Sequence, residues 1–281
     1  MSPVSPTSYR VGLIVPSSNV TMETEIPALL RAYESTGGGG ARFTFHGARM
    51  RMKKVTAESL LAMDKEGATC AGYLADAQMD VLAYACLVAV MVQGPRAHEA
   101  VGERLRAATV ESGYPAPIVT SAGALVDEIR AAGYRKVSLI APYLPELTRI
   151  VVEYIEQSAN VEVVDAISLS VSDNCEVGRL SQPNLVEIAA GRLNVNGADA
   201  VVLSSCVQMP SLNALKAAED RVGLPCLSAA SCTTRQILKR LDLDPAIQGF
   251  GSFVASAARV TAPRYDVDVA PLAAKPQEMV Q

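Results

Sequence analysis

The chain lacks most of the aromatic and imidazole chemistry on which enzymes draw. Its 281 residues include no tryptophan and only two histidines, and aromatic residues make up 5%. Imidazole is the side chain that titrates near neutral pH, so any catalytic mechanism here must manage largely without it. No apolar run approaches the roughly 20 residues of a membrane span, and the first residues, MSPVSPTSYR, lack the pattern of a signal peptide. We therefore expect a cytoplasmic protein.

Clustered positive charge and paired cysteines are lacking as well. The chain carries 25 Lys and Arg against 29 Asp and Glu, a net charge of −4, and the absence of a basic face argues against nucleic acid as a partner. Its six cysteines form no CxxC pair, which gives little support to a zinc site. In a cytoplasmic protein of this length we expect free thiols rather than a disulfide framework.

Short apolar runs alternate with amphipathic stretches from end to end, a pattern typical of an α/β protein with parallel sheets. Hydrophobic residues make up 49% and charged residues 19%, as in globular proteins. The predicted strands span residues 10–15, 42–46, 81–85, 118–120, 137–141, 161–166, 200–203 and 226–228. The predicted helices span residues 22–31, 56–78, 102–110, 125–132, 146–157, 183–193, 211–221 and 234–241, with Thr56 capping the second.

An internal repeat divides the chain into two similar halves. The segment RVGLIVPSSN resembles KVSLIAPYLPE, DVLAYACLVAVM resembles DAVVLSSCVQMP, and APIVTSAGALVDEI resembles LPCLSAASCTTRQIL. The repeat predicts two pseudo-symmetric Rossmann-like halves, each with a parallel four-stranded sheet. Ligands of such sheets bind at the carboxyl ends of the strands, so a cleft between the halves is the expected active site.

The second pair of repeated segments places a cysteine at the end of a strand in each half. These residues, Cys86 and Cys206, would point into one cleft. Unpaired N–H groups at the turn after each strand would lower a thiol pKa from about 8.5 toward neutrality. The remaining four cysteines, Cys70, Cys175, Cys226 and Cys232, are interpreted as packing residues.

The segments around both strand-end cysteines contain no Lys or Arg, so an acidic ligand would be held by neutral donors. Candidate donors follow the corresponding strands: Ser17, Ser18, Asn19, Tyr143 and Asn174. Each asparagine has a structural alternative, an N-cap for Asn19 and a turn for Asn174. The candidates His46 and Asp173 receive no assigned role.

Five motifs carry a resemblance to a known family: VPSSN at 15–19, AYACLVAVM at 83–91, APYLPEL at 141–147, DNCEVG at 173–178 and SSCVQM at 204–209. Through them the sequence resembles the maleate cis-trans isomerases of the Asp/Glu racemase superfamily. The resemblance implies that residues 1–117 form the first half, completed by about 228–262. Residues 118–227 would form the second half, and residues 263–281 a mobile tail.

The resemblance also implies roles for individual residues. Cys86 corresponds to the nucleophile and Cys206 to the thiol that protonates or stabilises the enolate. Substrate carboxylates would be bound by Asn19, Leu87, Val88, Tyr143, Asn174, Val207 and Gln208. The family uses no metal and no organic cofactor, commonly forms homodimers, and serves bacterial breakdown of nicotinate and other pyridines.

The hypothesis is that the Cys86 thiolate adds to maleate and forms a succinyl thioether, whose new single bond rotates before fumarate is released. Three alternatives stay open. A two-thiol racemase of aspartate or glutamate would need acceptors for an ammonium group, which the apolar residues after each cysteine do not provide. An arylmalonate decarboxylase would leave one thiol unexplained, and a dicarboxylate-binding module would need neither.

Overall fold

A computed structural model describes residues 7–36, 40–52 and 55–256 of the chain. Eight strands in the described part form two parallel sheets. The strands are β1 (Ser8–Pro16), β2 (Arg42–Met50), β3 (Val81–Tyr84), β4 (Ile118–Thr120), β5 (Lys136–Ala141), β6 (Glu162–Ser168), β7 (Ala200–Ser204) and β8 (Cys226–Ser228). The prediction of an α/β fold with two four-stranded parallel sheets is confirmed.

The two sheets share one topology. Their strand orders are β2-β1-β3-β4 and β6-β5-β7-β8, so each strand of the first sheet has a counterpart at the same place in the second. The central strands β1, β3, β5 and β7 are largely buried and rich in Val, Leu, Ile and Ala, as expected where helices cover both faces of a parallel sheet. The repeat found in the sequence is therefore a repeat of structure.

Twelve α-helices and one 3-10 helix surround the sheets in the described part. The helices are α1 (Met22–Ser35), α2 (Ala57–Asp64), α3 (Gly67–Asp76), α4 (Leu87–Met91), α5 (Ala97–Glu111), α6 (Ser121–Ala131), α7 (Pro145–Ala159), α8 (Asn174–Val177), α9 (Gln182–Gly191), α10 (Leu215–Val222), α11 (Ala229–Arg240) and α12 (Ser252–Ala255), and the 3-10 helix is Leu212–Ala214.

The single helix expected over residues 56–78 is wrong, because two helices, α2 and α3, occupy this stretch. The chain turns at Glu66, whose carboxylate accepts the Arg51 N–H at 2.7 Å. Gly67 then begins α3 so close to the Tyr84 ring that a Cβ atom would lie 3.1 Å from it. The expected cap is present, since Thr56 accepts a hydrogen bond from the Ser59 N–H.

The predicted boundary at residue 117 is too early by one strand. Strand β4 pairs with β3 and closes the first sheet, whereas the prediction assigned residues 118–120 to the second half. Helix α11 packs against α1, α6, β3 and β4, so a segment that follows the last strand of the second sheet covers the first. The predicted tail at 263–281 lies outside the described residues.

Every helix in the described part falls short of the length and apolarity needed to cross a bilayer.

Candidate active site

Cys86 and Cys206 occupy matching places at the carboxyl ends of β3 and β7, each two residues beyond its strand. Cys86 is the N-cap of α4, with extended backbone angles, and the N–H groups of Val88 and Ala89 in the first helical turn act on its sulfur. Cys206 is followed by a turn and, from Leu212, by the 3-10 helix. Both side chains are buried, at 8% and 6% exposure.

One small cavity lies between the two halves and contains both thiols. The first half lines it with Pro16, Asn19, Met52, Val55, Cys86, Leu87 and Val88, and the second half with Tyr143, Asn174, Cys206, Val207 and Gln208. All nine residues predicted for the site therefore meet at one place. Among these described lining residues there is no charged side chain, so an anion bound here would be held by amides, hydroxyl and thiol groups.

The thiols differ from the sequence-based expectation of a lowered pKa. Burial raises the pKa of Cys86 to about 12, although backbone N–H groups at Ala89 and Val88 lower it. The expected N–H groups are present, but the loss of hydration on full burial outweighs them. Burial also raises the pKa of Cys206.

Tyr143 distinguishes the two thiols. It lies two residues beyond β5 and is buried at 3% exposure. Its hydroxyl donates a hydrogen bond to Cys206, which lowers the pKa of that thiol and opposes the effect of burial. Burial raises the pKa of the Tyr143 hydroxyl itself well above its usual value, so the phenol stays protonated and remains a donor. Tyr143 thus orients Cys206, whose pKa still lies above its ordinary value because burial is the larger effect.

Asn19 and Asn174 approach the cavity from opposite halves, and each uses one side-chain atom to hold its own loop. The Asn19 Oδ1 accepts the Met22 N–H at 3.0 Å at the start of α1, which is the capping role foreseen as its alternative. The Asn174 Nδ2 donates to the Ser18 Oγ at 2.8 Å across the cleft. The remaining amide atoms, Nδ2 of Asn19 and Oδ1 of Asn174, have no hydrogen-bond partner among the described residues.

The two residues without an assigned role lie outside the cavity. Asp173 is the N-cap of α8 and accepts the N–H groups of Cys175 and Glu176 at 2.8 and 3.0 Å. His46 lies on the edge strand β2, where its Nε2 is 2.9 Å from the Thr44 hydroxyl. Both contacts are local and structural.

Three lining residues, Pro16, Met52 and Val55, were not predicted for the site. Pro16 belongs to the VPSSN motif and is the last residue of β1, but it is not among the predicted site residues. Met52 and Val55 follow β2 and belong to none of the five motifs, so the sequence offered no signal for them. Together they give the first-half side of the cavity an apolar wall.

Two parallel sheets of one topology, with a thiol from each half facing a shared cavity, define a class of α/β enzymes. Residues 11–254 match the arylmalonate decarboxylase family. A solved unliganded arylmalonate decarboxylase is 19% identical, with a TM-score of 0.69 over 88% of this chain and 99% of that chain, a likeness that shows the fold alone.

More similar relatives identify the family within this class. The maleate isomerase of Geobacillus stearothermophilus is 52% identical over 252 residues, which are 88% of this chain and 97% of that protein. The solved maleate isomerase Iso of Pseudomonas putida S16 is 47% identical, with a TM-score of 0.86 over 89% of this chain and 100% of that chain. The chain belongs to the maleate isomerase family, which the five motifs predicted.

A third relative bears on the chemistry. A cysteine-to-serine variant of the Nocardia farcinica maleate cis-trans isomerase was solved with a covalently bound succinylcysteine intermediate. It is 42% identical to this chain, with a TM-score of 0.83 over 89% of this chain and 99% of that one.

Proposed function

We propose that this enzyme converts maleate to fumarate through a covalent succinyl-cysteine intermediate. The observation that carries the proposal is the single cavity in which Cys86 and Cys206, from different halves, are buried together with uncharged donors. The covalent succinylcysteine in the Nocardia farcinica relative supports the same chemistry. Rotation about a double bond requires that the bond become single for a time, and thiolate addition achieves this without a cofactor.

Cys86 is the nucleophile in this mechanism. Its proton passes to solvent, and the thiolate sulfur bonds to one alkene carbon of maleate while the electron pair of the double bond moves into the adjacent carboxylate. The resulting enolate is stabilised by the Cys206 thiol, which donates a hydrogen bond or a proton from the other half. After rotation about the new single bond, Cys206 takes back any proton that it gave, the electron pair of the enolate re-forms the double bond, and the carbon–sulfur electron pair returns to Cys86, which regains a proton from solvent.

The two carboxylates are bound by neutral groups on both sides of the cleft. The unpartnered amide atom of Asn19 and the N–H groups of Leu87 and Val88 bind from the first half. Asn174 and the Val207 backbone bind from the second, where Tyr143 contributes by donating to the Cys206 sulfur. Because the substrate contributes two negative charges, these donors also stabilise the extra charge of the addition step, as preorganised dipoles do in a water-excluded site.

Separate replacement of the two thiols tests this mechanism. Cys86→Ala should abolish maleate-to-fumarate turnover in proton NMR, because no nucleophile remains. Cys206→Ser should slow turnover and leave a mass increment of one maleate on the peptide that contains Cys86. The matched control is Cys175→Ser, an exposed thiol on α8, which should keep the wild-type rate.

The alternatives predict different outcomes. Normal turnover by Cys86→Ala would overturn the mechanism. Interconversion of D- and L-aspartate would favour a racemase, loss of carbon dioxide from phenylmalonate a decarboxylase, and tight binding of maleate without any product a binding module. The described lining of the cavity includes no carboxylate that could pair with an ammonium group, which disfavours the racemase.

The setting of the reaction is a further part of the proposal. We further propose that the enzyme works as a homodimer in the bacterial cytoplasm, where it would convert maleate formed during nicotinate or pyridine breakdown. The proposed chemistry needs neither metal nor organic cofactor.

A further inference from the structure

The side chain of Gln208 is buried between the two halves, at 2% exposure. Its Oε1 accepts the N–H groups of Val20 and Thr21 at 3.0 and 3.3 Å. Its Nε2 donates to the carbonyl oxygens of Ser18 and Asn174 at 3.1 and 3.0 Å. A carboxamide has two acceptor positions and two N–H donors, so these four contacts exhaust its hydrogen-bonding capacity.

This saturation changes the role expected for Gln208. The family resemblance implied that it binds a substrate carboxylate, but a side chain whose donors are all engaged has none left for a ligand. A substrate could recruit it only by breaking a hydrogen bond inside a buried site, which is costly.

The partners of Gln208 belong to three different parts of the active site. Ser18, Val20 and Thr21 flank Asn19 in the first half, and the Asn174 carbonyl belongs to the second. The Gln208 backbone N–H lies 3.4 Å from the Cys206 sulfur and donates to it. One residue thus connects both substrate-binding asparagines to a reactive thiol.

The residues around Gln208 pack closely against it. Gly178, at the end of α8, lies so close that a Cβ atom there would be 2.6 Å from the Gln208 Nε2. The Thr21 hydroxyl adds a second contact across the cleft by donating to the Gln208 carbonyl at 2.8 Å.

We propose that Gln208 is a positioning residue whose side-chain amide holds the two halves closed over the cavity and fixes Asn19, Asn174 and Cys206 relative to one another. Its effect on catalysis rests on the proposed isomerase function, but its effect on closure does not. Loss of the amide should therefore open the cleft locally and expose both buried thiols, whatever reaction they perform.

Thiol alkylation measures this opening. In Gln208→Glu the new carboxylate oxygen faces the carbonyls of Ser18 and Asn174 and repels both. Labelling of Cys86 and Cys206 by iodoacetamide, followed by peptide mass spectrometry, should accelerate about tenfold or more near neutral pH, since buried groups react through local opening. The matched control is Gln182→Glu, which keeps the oxygen that accepts the Asn213 N–H at 2.8 Å and should label like the wild type.

Two other thiols serve as internal references. Cys226 and Cys232 are fully buried and lie outside the cavity lining, so they report global unfolding. The proposal predicts that their labelling rates stay unchanged in Gln208→Glu. Equal acceleration of all four thiols would show that Gln208 contributes only to overall stability. Unchanged labelling of Cys86 and Cys206 would show that its side chain does not hold the two halves closed. Either result overturns the proposal.

Activity gives a readout that simple destabilisation would not produce. At mildly alkaline pH, turnover of maleate by Gln208→Glu should fall by about tenfold or more, because Asn19, Asn174 and Cys206 are no longer held at fixed relative positions. As the pH falls and the carboxyl is protonated, one donor returns, and the ratio of variant to wild-type kcat should rise. A pH-independent ratio would contradict a positioning role. If the wild type does not convert maleate, the proposed function fails. The alkylation result still shows whether Gln208 holds the two halves closed.

Discussion

At the scale of single residues, the position of Cys86 suits the proposed nucleophile, but its pKa is raised by burial. Position at the end of β3 directs its sulfur into the cavity, where backbone N–H groups favour the thiolate. Burial opposes them and raises its pKa to about 12. The resting enzyme therefore holds a protonated Cys86 at neutral pH, and in the proposed mechanism deprotonation of this thiol is a separate step.

The raised pKa predicts the pH dependence of Cys86. Below its pKa the thiolate fraction grows about tenfold for each pH unit, so alkylation of Cys86 in the wild type should keep rising between about pH 7 and pH 10. The same slope is expected for kcat/KM with maleate, which reports groups of the free enzyme. A plateau near pH 8 in peptide-resolved labelling would mean that burial does not control this thiol.

The nine predicted site residues all line one cavity, because short motifs at strand ends mark the place where parallel sheets bind ligands. The positioning role proposed for Gln208 could not be predicted from such motifs. Its side chain contacts Ser18 and Asn174, which are 190 and 34 residues away in the chain, and no local pattern encodes such contacts. The predicted lowering of the Cys86 pKa is wrong for a related reason: the pKa is raised by burial, and burial depends on the whole fold.

At the scale of elements, strands were predicted more accurately than helices. Strands β4 and β8 begin and end as predicted, because apolar runs between turn residues have sharp limits. The break between α2 and α3 carries no sequence signal, since Asp64, Lys65 and Glu66 are residues that a helix also accommodates. Helix α4 is not predicted because five residues are too few to show helical periodicity.

Helix α1 holds the segment after Cys206 through a buried acid. Glu25, at 6% exposure, accepts the N–H groups of Ser211 and Leu212 at 2.6 and 2.7 Å, where the 3-10 helix begins. The carboxylate therefore caps an element of the other half. Burial raises the pKa of Glu25 despite these hydrogen bonds.

Replacement of Glu25 should show the value of this cap. Glu25→Ala leaves two buried N–H groups unpaired and should lower the free energy of unfolding by about 1–3 kcal/mol in urea. Glu25→Gln keeps an acceptor oxygen, so its free energy of unfolding should fall by less.

The pH dependence of stability gives a second readout. Because the pKa of Glu25 is raised in the folded protein, the native state binds this proton more tightly, and wild-type stability declines as pH rises above the ordinary glutamate value. The Gln variant lacks this titration, so its stability relative to the wild type should improve as pH rises. Equal losses in both variants would exclude the capping role.

At the scale of the whole molecule, a buried ion pair joins the last long helix to the first half. On α11, Arg235 donates from Nε to the Glu128 carboxylate of α6 at 2.9 Å, and both side chains are at most 3% exposed. Lys239 and Gln236 also donate to Glu128. The Arg235 Nη1 reaches the carbonyls of Pro245 and Val254, each at 3.2 Å, so the segment after α11 is held by the same residue.

Arg235→Ala should therefore destabilise the whole protein. Removal of one partner leaves a buried carboxylate with less compensation, which costs about 3–5 kcal/mol, and the urea midpoint should fall accordingly. Arg149→Ala is the matched control, because Arg149 and Glu153 form an exposed pair on α7 and such pairs contribute little. An unchanged midpoint in Arg235→Ala would show that α11 is held by apolar packing alone.

The position of α11 also determines the order in which the protein can be completed during synthesis. The strands of the first sheet leave the ribosome early, but the helix that packs on β3 and β4 is translated only after β8. Until then part of the apolar surface of the first sheet has no cover, and a nascent chain in that state is prone to misassembly. Synthesis of the described part therefore begins and ends with the first half, so a chain that stops after β8 would lack the helix that covers part of the first sheet.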